Sequence, residues 1–173
     1  MNPSEEALGG AHTVKCDLAG EVLASSGALR LRVTGWSMLP TVWPGDTLVI
    51  EQADSETVSE GEIVLFKSDL RFVAHRIVAK CGAGSDSTIL TRDDATSRPD
   101  APLSGGDVLG KVCFILRKGR LIRPKTNLSL SSRVVAAAVR RSDTVARVVV
   151  GVHGRLQSLL SQNSTHRAVP CQS

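Results

Sequence analysis

The sequence predicts a mainly β fold: a small, curved, mixed β domain with a short helix before it and a basic amphipathic helix after it. Leu29, Leu31 and Val33 alternate with polar residues, which is the period of a half-buried strand. Further short apolar runs follow, bounded by turn residues, and no helical pattern alternates with them. Because the chain also has no internal repeat, one β domain accounts for the pattern better than an α/β or solenoid fold.

The predicted elements begin after a polar segment. Residues 1–12 have no period and are expected to be disordered. Residues 16–26 carry apolar side chains at helical spacing, and Gly27 is placed to end that helix. A hairpin is predicted at Lys67–Asp69 and a polar loop at residues 92–106. The predicted strands are residues 29–33, 47–50, 62–66, 72–78, 87–91 and 108–116.

The pattern changes after the last predicted strand. Residues 121–125 are interpreted as a basic linker. Beyond residue 131, arginines recur every seven residues opposite a face of valine, alanine and leucine, which predicts a basic amphipathic helix. The expected organisation is a disordered start at 1–12, a β domain at 13–118, a linker and helix at 119–161, and a disordered end at 162–173.

Charge is divided unevenly along the chain. From Arg117 onward there are 11 lysine and arginine residues and one acid, Asp143, whereas residues 1–116 hold 10 basic and 16 acidic residues. This asymmetry favours an anionic partner for the tail. Three interpretations of the tail helix stay open: packing on the β domain, contact with an anionic membrane surface, and binding to nucleic acid. Nucleic acid is the least supported, because no aromatic residues accompany the arginines.

The remaining composition argues against several classes of protein. The cysteines, Cys16, Cys81, Cys113 and Cys171, lack zinc or disulfide-framework spacing, so isolated thiols in a reducing compartment and no metal or other cofactor are expected. No run of about 18 apolar residues is present to span a bilayer, and the acidic first 25 residues lack the apolar core of a secretory signal. We expect a cytoplasmic location, peripheral at the inner face of the membrane if the tail binds lipid.

The candidate chemistry lies in a short motif at residues 35–46. It consists of Gly35-Trp36-Ser37-Met38-Leu39-Pro40-Thr41, closed by Pro44-Gly45-Asp46. The motif joins two predicted strands, so Ser37 lies at a bend where proline and glycine set the turn. An isolated serine near a turn is an ordinary turn residue. A serine on this bend, however, exposes its hydroxyl beside unpaired backbone amides, as a nucleophile and its oxyanion hole require.

Five blocks of sequence in a fixed order carry a family resemblance. They are the Ser37 motif, its Pro44-Gly45-Asp46 closure, Gly61-Glu62-Ile63-Val64, His75-Arg76-Ile77 and Leu109-Gly110-Lys111-Val112. Together they resemble the superfamily that joins type I signal peptidases to the LexA-like self-cleaving repressors. His75 stands where most bacterial members carry a general-base lysine, which is similar to the endoplasmic-reticulum and archaeal type of signal peptidase. The chain departs from those enzymes in having no predicted transmembrane segment.

The resemblance implies a Ser–His–Asp peptidase with Ser37 as nucleophile and His75 as general base. A neutral imidazole can accept the serine proton near neutral pH, without the desolvation that a lysine base needs. Without the resemblance, His75 would be interpreted as a core histidine on an apolar strand face. Lys80 is the alternative base, and Arg76 is expected to be solvated on the opposite face of the strand.

The acid that would orient His75 is expected in the loop at residues 92–100. In the histidine-type signal peptidases the matching loop carries two acids six residues apart, and Asp94 and Asp100 have this spacing. The resemblance therefore implies Asp100 as the third catalytic residue and Asp94 as a supporting one, although the residues around Asp94 depart from the family's pattern. A solvated acidic loop with local arginine partners is the alternative.

The residues around Ser37 are expected to bind substrate. Met38 and Leu39 would flank the groove, and the backbone N–H of Ser37 would supply the oxyanion hole. Many signal peptidases have a hydroxyl two residues before the nucleophile, whereas this chain has Gly35. The oxyanion hole would therefore consist of backbone donors without that hydroxyl. The predicted substrate-binding residues are Gly35, Trp36, Met38, Leu39 and Pro40.

These inferences predict hydrolysis of a peptide bond in an extended precursor peptide that adds as a strand along exposed sheet edges. One alternative is a catalytically weak or inactive peptide-binding module, which Gly35 and the irregular acid loop support. Another is a self-cleaving regulator of the LexA type. It is disfavoured because the N-terminal region offers no DNA-binding domain and only Ala19-Gly20 as a cleavage segment.

Overall fold

The computed structural model describes residues 17–68, 71–96 and 98–126. Residues 17–26 form a helix, α1, and the rest of this part builds one eight-stranded sheet. The strands are β1 (Ala28–Arg32), β2 (Thr47–Gln52), β3 (Ile63–Ser68), β4 (Arg71–Cys81), β5 (Thr88–Arg92), β6 (Leu103–Ser104), β7 (Val108–Arg117) and β8 (Arg120–Ile122). The mainly β class is therefore confirmed.

The sheet is antiparallel at every pairing between the described strands. The expected mixture of parallel and antiparallel pairs is not found there, because a parallel pair needs a crossover, usually through a helix, and no α-helix lies between the described strands. The strand order is β1-β2-β7-β3-β4-β5-β6. β7 is central: it pairs with β2 along one side and with β3 and then β8 along the other.

Two of the strand edges that stay unpaired within the described residues matter for the site. β1 pairs only with β2. β4 pairs with β3 along its first half, whereas its pairing with β5 begins only at Arg76. The outer edge of residues 71–75 is therefore open, and so is the outer edge of β1. Each presents backbone N–H and C=O groups that an added strand can bind.

The sheet buries apolar side chains on both faces. One cluster lies under α1 and the Ser37 turn, and a second lies between the β3–β4–β5 part of the sheet and the loop that follows β2. β3 contributes alternate residues to the two clusters, which explains its continuous apolar run. The first cluster consists of Leu23, Met38, Val42, Leu48, Ile50, Ile63, Leu65, Val112 and Ile115, and the second of Val58, Val64, Phe66, Ile77, Ile89 and Val108.

The predicted N-terminal helix and its end are confirmed in residues 17–26. Gly27 has a positive φ of 71°, and its amide donates to the carbonyl of Leu23 at 2.9 Å, as in a helix C-terminus. The carbonyl of Gly27 accepts from the amide of Gln52 at 2.8 Å, which joins the end of α1 to β2. Leu23 is buried and anchors the helix in the first cluster.

Residues 121–125 are not simply a linker, because β8 occupies Arg120–Ile122 and pairs with the end of β7. Lys118 and Gly119 both have positive φ, 50° and 76°, which turns the chain back on itself in two residues. The sheet thus extends beyond the expected domain boundary at residue 118. The predicted tail helix at 131–161 lies outside the described residues.

Two other loops differ in detail from the expectation. β3 continues through Ser68, which pairs with Arg71, so the predicted hairpin is tighter than Lys67–Asp69 implied. The polar loop at 92–106 contains β6, which pairs with β5, followed by a 3₁₀ turn capped reciprocally by Ser104 and Asp107. In the described part of the chain, no helix is long and apolar enough to cross a membrane.

A buried carboxylate ties the Ser37 turn to the sheet. Asp46 accepts hydrogen bonds from the guanidinium of Arg117, with Nη2 to Oδ2 at 2.7 Å, and from the amide of Trp43 at 2.8 Å. Arg117 Nη2 also donates to the carbonyl of Thr41 at 3.0 Å, and the carbonyl of Asp46 accepts from the amide of Val33 at 2.8 Å. Both ends of the turn are therefore held against β7.

Replacement of Asp46 by alanine is expected to lower the free energy of unfolding by about 3 kcal/mol, because Arg117 would keep a partly buried, unpaired charge. Urea denaturation followed by circular dichroism measures the change. The matched control is Asp86→Ala, since Asp86 is exposed, and its effect should stay within about 0.5 kcal/mol. Equal effects of the two substitutions would contradict this role for Asp46.

Candidate active site

The structure brings Ser37, His75 and Asp100 together from three separate parts of the chain. Ser37 lies on the turn between β1 and β2, His75 on β4, and Asp100 on the loop after β5. His75 Nε2 is 3.3 Å from Ser37 Oγ, and His75 Nδ1 is 2.7 Å from Asp100 Oδ2. The first distance lies at the long end of hydrogen bonding, as is usual for a nucleophile and base without bound substrate.

The chemistry of these contacts determines the tautomer of His75. An ionised carboxylate only accepts hydrogen bonds, so the imidazole nitrogen that faces Asp100 must carry the hydrogen. Nδ1 is therefore the donor, and Nε2 is left with the free lone pair that faces Ser37 Oγ. That is the arrangement in which a histidine can remove a proton from a serine.

Asp100 is itself held by Thr91, a residue that the sequence analysis did not select. Thr91 Oγ1 donates to Asp100 Oδ2 at 2.7 Å, and the amide of Asp100 donates to the carbonyl of Thr91 at 2.8 Å. Thr91 is fully buried at the end of β5. Its only signal in the sequence is a hydroxyl that follows Ile89 and Leu90 just before the acidic loop. The two contacts orient the carboxylate toward His75.

His75 packs against an aromatic ring while keeping access to the groove. The Phe66 ring meets the imidazole edge-on, with the centroids 6.0 Å apart and the planes at 76°. The side chain of His75 is 13 % exposed. Lys80, the alternative base, is not in this site: its Nζ donates to the carbonyl of Val58 at 3.3 Å. Of the two candidate bases, His75 and not Lys80 therefore lies beside Ser37.

Arg76 is buried, which corrects the expectation that it is solvated. Its side chain points away from His75, as β alternation requires, but it meets Asp94 instead of water. Nε and Nη2 each donate to one Asp94 oxygen at 2.7 Å, which is a bidentate ion pair. Asp94 contacts Arg76 and the hydroxyl of Thr41 and does not contact His75. Asp94 is thus a structural partner of the site and not a member of the Ser–His–Asp chain.

The buried ion pair connects five segments. Arg76 Nη1 donates to the carbonyls of Gly61 at 2.6 Å and Lys125 at 2.7 Å, and Nη2 lies 3.3 Å from Thr41 Oγ1. The pair therefore links β4, the acidic loop, the Ser37 turn, the loop before β3 and the segment after β8. In the sequence, Arg76 stands out only because it directly follows His75. Its buried state could not be predicted, because its partners are far away along the chain.

The backbone around Ser37 supplies candidate oxyanion donors. The carbonyl of Ser37 accepts from the amide of Ala95 at 2.9 Å, which holds the turn against the acidic loop. Between described residues, the amides of Ser37 and Met38 donate to no protein acceptor. Gly35 adds no side-chain donor, and a Cβ there would meet nothing within 4 Å. Free amides beside the nucleophile are what an oxyanion hole requires.

A groove of about 500 Å³ runs from the Ser–His pair between the open edges of β1 and β4. Gly35 and Met38 line it, as expected. Leu39 does not flank it, because its side chain points into the interior and is 0 % exposed. Trp36 and Pro40 are also absent from its lining; the carbonyl of Pro40 instead accepts from Trp43 Nε1 at 2.8 Å.

Cys81 and Cys113 lie away from this site. Cys81 and Cys113 are free thiols in the structure. Partial burial and the nearby Glu51 carboxylate raise the pKa of Cys113 above its ordinary value. Among residues 17–68, 71–96 and 98–126, no cluster of three or more potential metal ligands occurs.

An antiparallel sheet with a serine on a turn between two strands fits the LexA and signal peptidase superfamily of serine peptidases. The chain belongs to the Peptidase S24-like family, whose model matches residues 4–113. The resemblance found in the sequence is thereby confirmed at the level of the superfamily. The closer similarity to endoplasmic-reticulum and archaeal signal peptidases stays a prediction. No curated protein is similar enough to this chain to be counted as a relative.

Replacement of Arg76 by methionine is expected to destabilise the fold by about 3–5 kcal/mol, because the Asp94 carboxylate would stay buried without its partner. Chemical denaturation measures the loss, with Arg98→Met as a control because Arg98 is exposed on the same loop as Asp94. The double variant Arg76→Met/Asp94→Leu should recover part of the stability. A double variant no more stable than Arg76→Met would contradict the burial of an unpaired charge as the cause.

Proposed function

We propose that this protein is a serine endopeptidase in which Ser37 is the nucleophile, His75 the general base and Asp100 the residue that orients His75. Membership of the Peptidase S24-like family supports a serine peptidase-type function. The single observation that carries the specific assignment is the continuous chain of contacts from Asp100 through His75 to Ser37. The free amides beside Ser37 and the adjoining groove add support.

In the proposed reaction, Ser37 Oγ attacks the carbonyl carbon of the scissile peptide bond while His75 Nε2 takes its proton. The amides of Ser37 and Met38 stabilise the negative charge that develops on the carbonyl oxygen. The C–N bond then breaks, and the imidazolium protonates the leaving amine. Water, activated by the same imidazole, attacks the acyl-enzyme, releases the new carboxyl group and restores Ser37.

The proposed substrate is an extended precursor peptide that binds as an added strand. The outer edges of β1 and of residues 71–75 face the groove and are unpaired among the described residues. An extended peptide laid between them can hydrogen-bond through its backbone to either edge. This mode holds the scissile carbonyl beside Ser37 with little dependence on the side chains of the substrate.

Substitution of either Ser37 or His75 by alanine is expected to reduce peptide cleavage by at least about 10⁴-fold, because the two groups act as one unit. The measurement is mass-spectrometric profiling of a diverse peptide mixture, together with labelling by a fluorophosphonate and mapping of the modified serine. Ser85→Ala is the matched control, since Ser85 is exposed and remote from the groove.

Cleavage and labelling that persist in Ser37→Ala would overturn the assignment of the nucleophile. If the folded wild type cleaves no peptide and takes no label, the peptide-binding module is the better description. Cleavage is measured with and without anionic lipid vesicles, so that any effect of the basic tail on activity is detected.

Asp100→Asn is expected to lower kcat by up to about 10⁴-fold with little change in KM, because an amide would favour the wrong tautomer of His75. Asp94→Asn tests the other acid. It should lower the unfolding midpoint through Arg76, and the kcat of its folded fraction should fall much less than that of Asp100→Asn, because Asp94 does not contact His75. Steady-state kinetics beside thermal denaturation separate the two effects. A larger kcat loss in Asp94→Asn would reverse the two roles.

A further inference from the structure

The groove beside Ser37 combines an apolar floor with a basic rim. Its floor is formed by Met38, Val42, Leu48, Leu65 and Phe72, which all belong to the first apolar cluster or pack against it. Its volume of about 500 Å³ lies within the usual range of ligand sites, so it can receive several residues of a peptide. An apolar floor of this extent favours an aliphatic side chain next to the scissile bond.

Two arginines stand at the rim on the two open strand edges. Arg32 is the last residue of β1 and Arg71 is the first of β4, and both are exposed and line the groove. No ion pair joins either guanidinium to an acid among the described residues. The described lining of the groove contains no aspartate or glutamate, so its charge is positive.

The separations along the chain indicate how far Arg32 and Arg71 lie from Ser37 and His75. Arg71 precedes His75 by four residues on β4, which corresponds to about 13 Å of extended chain. Arg32 precedes Ser37 by five residues. A peptide that pairs with either edge has the same rise per residue, so its residue nearest to the arginines lies about four residues from the scissile bond.

We propose that the preferred substrate carries an aliphatic residue beside the scissile bond and an acidic residue about four positions away, which Arg32 and Arg71 bind. This specificity rests on the proposed peptidase function of the same groove. A carboxylate at that position receives charge-assisted hydrogen bonds from a guanidinium. A lysine there faces two like charges, and this repulsion disfavours basic peptides.

The test uses matched decapeptides that place one glutamate, glutamine or lysine at successive positions from the scissile bond. Wild type reports kcat/KM, and Ser37→Ala reports binding by fluorescence anisotropy without turnover. Glutamate at the fourth position should improve both quantities about 3- to 10-fold over glutamine. The preference should fall when ionic strength rises from about 0.1 M to about 1 M.

Charge reversal identifies the residues responsible. Arg32→Glu/Arg71→Glu should favour the lysine peptide over the glutamate peptide, and both sites are exposed, so the fold should survive. The control is Arg30→Glu: Arg30 lies on β1, is also exposed, and is outside the described groove lining. The control should keep the wild-type order of preference.

Each outcome separates this specificity from the peptidase function. Cleavage without a glutamate preference would overturn the specificity and leave the peptidase intact. Glutamate-dependent binding to Ser37→Ala without cleavage by wild type would support the specificity and reject turnover. Binding of no peptide would overturn the specificity.

Discussion

The ion pair between Arg76 and Asp94 is the interaction on which the geometry of the site depends. Both residues are almost fully buried, at 5 % and 4 % exposure, and the removal of two charges from water costs several kcal/mol per ion. That cost is offset only when every polar atom finds a partner. Asp94 accepts two hydrogen bonds from Arg76 and one from Thr41, and Arg76 Nη1 is bound by backbone carbonyls. In the described part of the chain, no buried side-chain nitrogen or oxygen lacks a partner.

This buried pair also helps to position the side chains of Ser37 and His75. His75 and Arg76 are neighbours on β4, so the strand sends them to opposite faces, and the burial of one presents the other to the groove. The same pair holds Thr41 at the end of the Ser37 turn, while Ala95, next to Asp94, binds the carbonyl of Ser37. One cluster of polar contacts therefore positions both the serine and the histidine, which an acyl-transfer site needs to within a fraction of an ångström.

Most of the fold could be predicted from local pattern, and the exceptions have physical causes. The sequence predicts a linker at residues 121–125 because three exposed residues of β8 carry no apolar period, whereas the left-handed turn at Lys118 and Gly119 creates the pairing. It predicts Leu39 at the groove because Leu39 adjoins Ser37, but a tight turn sends successive side chains in different directions. It predicts Arg76 in water because an isolated charge is rarely buried, and the partner Asp94 lies 18 residues away.

The sequence by itself determined six of the eight strands and the turn that bears Ser37, because period-two patterns and turn residues encode these features locally. The family resemblance selected His75 and the two acids of the loop after it. Only the tertiary structure decided that Asp100 contacts His75 and that Thr91 orients Asp100. It also decided that Arg76 is buried against Asp94 and that Arg32 and Arg71 line one groove. Those outcomes depend on sheet order and curvature, which bring together segments that no local pattern relates.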